Sequence, residues 1–247
     1  MPKLGPSSSD SPTPITGTFA FSPVALSQLG ATEYTLVSIV ADHSGSVGYF
    51  QQDLERALGS VVEACRKSPR ADNLLLRLSR FDHRTEEMHG FRPLQDCNPA
   101  DYTGVLSPAG STALYDATVN GIESVAAQGK LLIDADYTAN AIVFVLTDGD
   151  DNASTMTPTE VKKAVDRAMQ AECLESIVTV LIGVDVSDPR MSSRLDAFAK
   201  GAGFTQYVEI ANADAKTLAR LAAFISKSIS SQSQAVGGGS ASVALTF

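Results

Sequence analysis

The chain has 247 residues, 44% of them hydrophobic, with a mean hydropathy of +0.03, enough apolar material for one large domain or two small ones. A net charge of −9 and a pI of about 4.8 argue against nucleic acid or an anionic membrane as the main partner. A divalent cation or a basic protein surface matches that charge better. The three cysteines, Cys65, Cys97 and Cys173, are odd in number and show no CxxC spacing, so neither a disulfide framework nor a cysteine-based zinc site is indicated. Cys65 and Cys173 fall in helical patterns, over 58–67 and 161–174, where a small buried hydrophobe is the expectation.

Residues 1 to 33 read as a flexible N-terminal segment, Ser- and Pro-rich up to about residue 17, with a possible short strand at Thr18–Ser22. The first residues lack the apolar core of a signal peptide, and no stretch reaches the roughly 20 apolar residues that span a bilayer. The expectation is a cytoplasmic protein without a membrane partner. Residues 34–42 form a continuous apolar run, as in a parallel strand covered on both faces. Over 50–68, Leu54, Leu58, Val61, Val62 and Cys65 recur at helical spacing, and Pro69 ends the helix. Strands are expected at 73–81 and 85–91, the second an antiparallel neighbour of the first. A loop at 104–110 precedes a helix over 111–127. The most apolar strand follows at 140–147, then a helix over 158–172 with Thr157 as N-cap and Pro158 in the first turn. A buried strand at 176–185, a helix at 189–200, a short strand at 205–210 and a closing helix at 213–230 complete a domain over 34–232. Residues 233–247 read as a Gly/Ser linker ending in an alternating hexapeptide that could pair with Thr18–Ser22 or be donated to a partner. Strands alternating with helices predict an α/β fold: a doubly wound, mainly parallel Rossmann-like sheet with one antiparallel edge strand and helices on both faces. In such sheets ligands bind beyond the carboxyl ends of the strands.

Three segments carry matched chemistry at those ends. Asp42-His43-Ser44-Gly45-Ser46 follows the first apolar strand, Thr112 lies in Gly110-Ser111-Thr112-Ala113-Leu114, and Asp148-Gly149 follows the most apolar strand. Carboxylates and hydroxyls are hard oxygen donors suited to a small cation such as Mg2+, which retains part of its water. Each piece alone has a bland explanation: Asp and Ser after a strand make turns or caps, Thr112 could cap the helix that follows it, and Asp-Gly is a common turn. Together, in this order, they point to one ion. Asp150, Asp151 and Asn152 read as a solvated continuation of the loop, Asp82-His83 as a turn, and His43 as a side chain directed away from the ion. With only His43, His83 and His89, no histidine-based catalytic set is apparent.

In these five positions the chain resembles the von Willebrand factor A (VWA, or integrin I-like) domains, whose metal-ion-dependent adhesion site is written Asp-x-Ser-x-Ser, a distant Thr and a distant Asp. The resemblance covers residues 34 to about 230 and assigns the metal ligands to Asp42, Ser44, Ser46, Thr112 and Asp148. It implies Mg2+ or Mn2+ ahead of Ca2+, with one position on the ion left for an Asp or Glu carboxylate of a partner protein. It also implies a non-catalytic binding module of the intracellular bacterial type, working in a stress-response or AAA+/chaperone-linked assembly. The segment Phe224–Ser231 is similar to the end of tellurium-resistance-associated VWA proteins. Two other functions use the same residues: a metal-assisted hydrolase or phosphotransferase, and a structural assembly subunit acting through its termini. No Gly-rich phosphate loop or GxSxG string supports the first. Partner and oligomeric state are not written in the sequence.

Overall fold

Alternation of side chains along each strand decides which residues meet which helix. The computed structural model describes residues 13–14, 20–236 and 247. Its strands are β1 (Thr13–Pro14), β2 (Ala20–Phe21), β3 (Glu33–Asp42), β4 (Leu74–Phe81), β5 (Thr85–Pro93), β6 (Thr138–Thr147), β7 (Ile177–Val184) and β8 (Gln206–Ile210). Its helices are α1 (Gln51–Arg66), α2 (Leu114–Ile133), α3 (Pro158–Gln170), α4 (Pro189–Ala202) and α5 (Ala215–Ala235). The main sheet has the order β5-β4-β3-β6-β7-β8, parallel throughout except for the β4–β5 edge pair. On β3, Val37, Ile39 and Ala41 pack against α1 and α5, while Leu36 and Val40 pack against the layer of α2, α3 and α4. Both faces are therefore covered, which explains the unbroken apolar strands. The expected doubly wound architecture is the observed one.

The helix limits differ from expectation where tertiary contacts claim the backbone. Residues 111–113 are not helical, because Thr112 and Ala113 are bonded to distant loops, and α2 instead starts at Leu114 and continues to Ile133. Helix α3 ends at Gln170, since Ala171 turns extended, so Cys173 lies in a half-buried turn rather than on a helix. The start of α3 is the expected one: Thr157 and Glu160 form a reciprocal capping box. Helix α5 runs on to Ala235, past the expected end of the domain. Strand β2 overlaps the expected short strand but pairs with Thr13–Pro14 in a separate two-stranded ribbon. The expected tail strand lies outside the described residues, apart from Phe247, whose ring stands edge-on to Phe224 at 5.8 Å.

Two features fix α2 against the sheet. Gly121 lets the helix approach β3 so closely that a Cβ there would lie 2.7 Å from Val40 Cγ2. Arg77 on β4, 0% exposed, reaches the same helix: its Nη2 donates to Asn120 Oδ1 at 2.8 Å and its Nε to Glu87 Oε2 at 2.7 Å. Glu87 Oε1 in turn accepts the Ser22 backbone N–H at 3.0 Å, which ties the segment after β2 to the sheet edge. Removing one member of a buried ion pair strands the other charge, at about 3–5 kcal/mol. Equilibrium urea unfolding of Glu87→Ala, which strands the fully buried Arg77, should show a loss in that range, larger than that of Arg77→Met, which strands only the partly exposed Glu87 carboxylate.

Candidate metal centre

Strand β3 lies between β4 and β6, and the chain winds outward in opposite directions from it, through α1 to β4 and later from β6 to β7. The carboxyl ends of β3 and β6 flank that reversal, the place where doubly wound sheets leave a crevice. Asp42 ends β3, and Asp148 follows directly on β6. Parallel pairing of Ala41 with Leu146 holds the two ends level.

A chain of hydrogen bonds, through side-chain oxygens and the Ser44 N–H, crosses the gap. Thr147 Oγ1 donates to Asp42 Oδ2 at 2.7 Å, and the Ser44 N–H donates to Asp42 Oδ1 at 2.7 Å. Ser44 Oγ lies 3.3 Å from Ser46 Oγ, which donates to Asp148 Oδ1 at 2.9 Å. Asp42 and Ser44 are buried and Ser46 is exposed, so the row of donors runs from the interior to the surface. The turn role that the sequence offered for Asp42 is thus real, but it occupies one oxygen only. Thr147 was not among the expected residues. Its only signal is a hydroxyl at the last strand position, and that signal gains meaning only when β6 is known to pair with β3.

Thr112 joins the same rim by its backbone. Asn152 Oδ1 accepts the Thr112 N–H at 2.8 Å, the Asn152 N–H donates to Thr112 O at 2.9 Å, and the Ala113 N–H donates to Asp82 O at 2.6 Å. Among the described residues no hydrogen bond links its hydroxyl to the other four side chains. Nor does that hydroxyl cap α2, since the N-cap position is Ala113 and no side chain caps from it. The Tyr115 N–H instead donates to both Ser154 Oγ at 3.0 Å and Asp151 Oδ1 at 3.3 Å, from the loop after β6. Asp151 and Asn152, expected to be solvated, therefore knit the two loops together. Asp150 pairs with Arg194 at 3.1 Å.

The loop leading to Thr112 is strapped down along its length. Glu55 on α1 accepts the N–H groups of Gly104 at 2.8 Å and Leu106 at 2.9 Å, and Arg80 Nη1 donates to Val105 O at 2.5 Å. His43, 4% exposed, turns into the protein, and its Nδ1 donates to Ser107 O at 3.0 Å. Gly110 has φ of +70°, a left-handed backbone that favours glycine, and a Cβ there would press on Asp82 and His83.

Burial pushes the Asp42 carboxyl up to about 6; the neighbouring Asp148 adds to this, while the Thr147 hydrogen bond opposes it. Burial also raises Asp148, with Asp185 adding to it and Ser46 opposing. Among the described residues no Lys or Arg forms an ion pair with either carboxylate. Two desolvated carboxylates with no positive partner, joined by hydroxyls, fit a small hard cation. Nitrogen and sulfur donors are absent from this set, and no group of three or more Asp, Glu, His or Cys among the described residues is placed to hold an ion. Any cation here must rely on the hydroxyls.

No protein-family model matches the sequence, and no curated protein matches it. Solved structures do match. The D319A mutant of the PilB minor pilin from Streptococcus sanguinis aligns over 90% of this chain with a TM-score of 0.59 and 15% identity. Proximal thread matrix protein 1 from the mussel byssus, described with a zinc-occupied MIDAS motif, aligns over 79% with a TM-score of 0.53 and 18% identity. The vWF domain of the type V pili tip protein Mfa5 from Porphyromonas gingivalis aligns over 81%, and over 97% of its own length, with a TM-score of 0.51 and 11% identity. The chain spans 64% of the PilB structure and 46% of the byssus protein. The fold is VWA-like.

Raising the Asp42 pKa from 3.8 to about 6 has a definite sign. Between those values the folded chain holds a proton that the unfolded chain has lost, so stability declines as pH rises through the window and levels off above it. In chelator, unfolding of the wild type measured against Asp42→Asn should show that decline, amounting to about 3 kcal/mol in all.

Proposed function

We propose that this chain is a non-catalytic, divalent-cation-dependent protein-binding module, with Asp42, Ser44, Ser46, Thr112 and Asp148 holding Mg2+ or Mn2+. The observation that carries this reading is the row of oxygens from Thr147 through Asp42, Ser44 and Ser46 to Asp148, which contains two carboxylates and no basic partner. When bound, the ion would supply a positive charge with one position open to an Asp or Glu carboxylate of a partner protein. Ser44 and Ser46 would hold the ion directly, and Asp42 and Asp148 would balance its charge, Asp42 being itself fixed by Thr147 and the Ser44 N–H. Thr112 would complete the set from its clamped loop. Oxygen donors of this kind suit Mg2+ and Mn2+ better than softer ions. A zinc-occupied MIDAS motif in a similarly folded byssus protein supports a divalent ion in this setting, and pilin, adhesin and byssus-matrix neighbours support a role in protein assembly. A cytoplasmic stress-response or AAA+-linked setting belongs to the proposal through the resemblance alone. Among the described residues no helix is long and apolar enough to cross a membrane.

Calorimetric titration of chelator-stripped protein with Mg2+ and Mn2+ tests the site. Asp42→Ala and Ser44→Ala should each weaken binding at least about tenfold, or 1.4 kcal/mol, with circular dichroism unchanged. Equal affinity in wild type and both variants would overturn the assignment.

A further inference from the structure

Tyr49 is 97% exposed, far more than any other large apolar or aromatic side chain among the described residues. It belongs to a short 3₁₀ turn, Gly45–Tyr49, that also carries Ser46. In a 3₁₀ helix the side chains at i and i+3 eclipse, with a rise of about 2 Å per residue. Tyr49 therefore stands on the same face as Ser46, roughly 6 Å further along. Val47, between them, is buried and anchors the turn. An aromatic ring held clear of the protein beside a cation site is a ready contact for whatever docks there, and tyrosine is enriched among residues that dominate interfaces.

The charge around it narrows the partner. The loops after β6 and β7, residues 148–157 and 185–188, contain five aspartates and no lysine or arginine. Of the basic residues near these loops, Arg80 is engaged by Glu86 and Arg194 by Asp150, Arg84 lies out in the edge turn between β4 and β5, and Arg190 is an exposed cation in the first turn of α4, two residues after Asp188. A divalent ion would offset Asp42 and Asp148; with Asp150 paired to Arg194 and Asp151 bonded to the Tyr115 N–H, Asp185 and Asp188 are the aspartates of these loops left exposed. A strongly acidic segment would be repelled from this rim even with one carboxylate on the ion.

Resting on the reading given under the proposed function, we infer that the partner is a protein segment in which one Asp or Glu carboxylate is flanked by Lys or Arg, and that Tyr49 receives one of these basic side chains on its ring. The flanking cations meet the aspartate rim, and the ring adds an attraction that needs no buried pocket.

Synthetic peptides with one Glu in a Gly/Ser background, flanked by Lys and Arg, by Asp, or by neither, test this by fluorescence anisotropy on the full chain in saturating Mg2+. Lys/Arg-flanked peptides should bind tightest and lose binding in chelator or when Glu is replaced by Gln. Tyr49→Ala should weaken them roughly three- to tenfold, Tyr49→Phe should not, and neither should change Mg2+ affinity. If cation-dependent binding persists but ignores both Tyr49 and the flanking charge, this inference is wrong and the metal reading stands. If no peptide binds in a cation-dependent way, both fail together.

Discussion

Two carboxylates that have been taken out of water, at the ends of adjacent strands, set the terms for this end of the molecule. Asp42 is 1% exposed and Asp148 half-buried, and no basic side chain among the described residues pairs with them. Uncompensated charge at such a position is expensive, so the protein lowers the cost with hydroxyl and backbone donors from Thr147, Ser44 and Ser46. Those donors reduce the penalty without removing it, and the carboxyl of Asp42 stays well above its ordinary range. Such a set of hydroxyl and carboxylate oxygens fits a small hard cation.

The rest of the architecture keeps that arrangement in place. Loop 104–112 has no regular structure of its own, yet its backbone is met by Glu55 from α1, Arg80 from β4 and His43 from the Asp-x-Ser-x-Ser segment. The loop after β6 is held from the other side, through Asn152 to Thr112 and Asp151 to the start of α2. Helix α2 is itself seated by the close approach at Gly121 and by the Arg77–Asn120 bond. A shift in any of these elements would be felt at the oxygen row, because interiors packed to native density transmit displacement rather than absorb it. The 3₁₀ turn with Tyr49 is held on its inner side by Val47, by the Ser46–Asp148 bond and by the Gly45 N–H to Gly110 O, while Tyr49 itself stands exposed.

The fold class, the order of the elements and the positions of Asp42, Ser44, Ser46 and Asp148 at or just beyond strand ends were legible in the sequence. Continuous apolar runs and helical spacing are local signals, and a strand's end is visible where the run stops. The sequence also placed Thr157 as the N-cap of the helix that begins at Pro158. What it missed has one physical cause. Thr147, Asp151, Asn152 and Glu55 act through partners 105, 36, 40 and 49 or more residues away, and a hydrogen bond across that distance leaves no trace in spacing. The start of α2 was misplaced for the same reason, since the backbone of residues 112 and 113 is spent on Asn152 and Asp82 rather than on a helical turn. Only the tertiary structure decided that Asp42 and Asp148 face each other without a basic neighbour, because strand order, not sequence order, brings β3 beside β6.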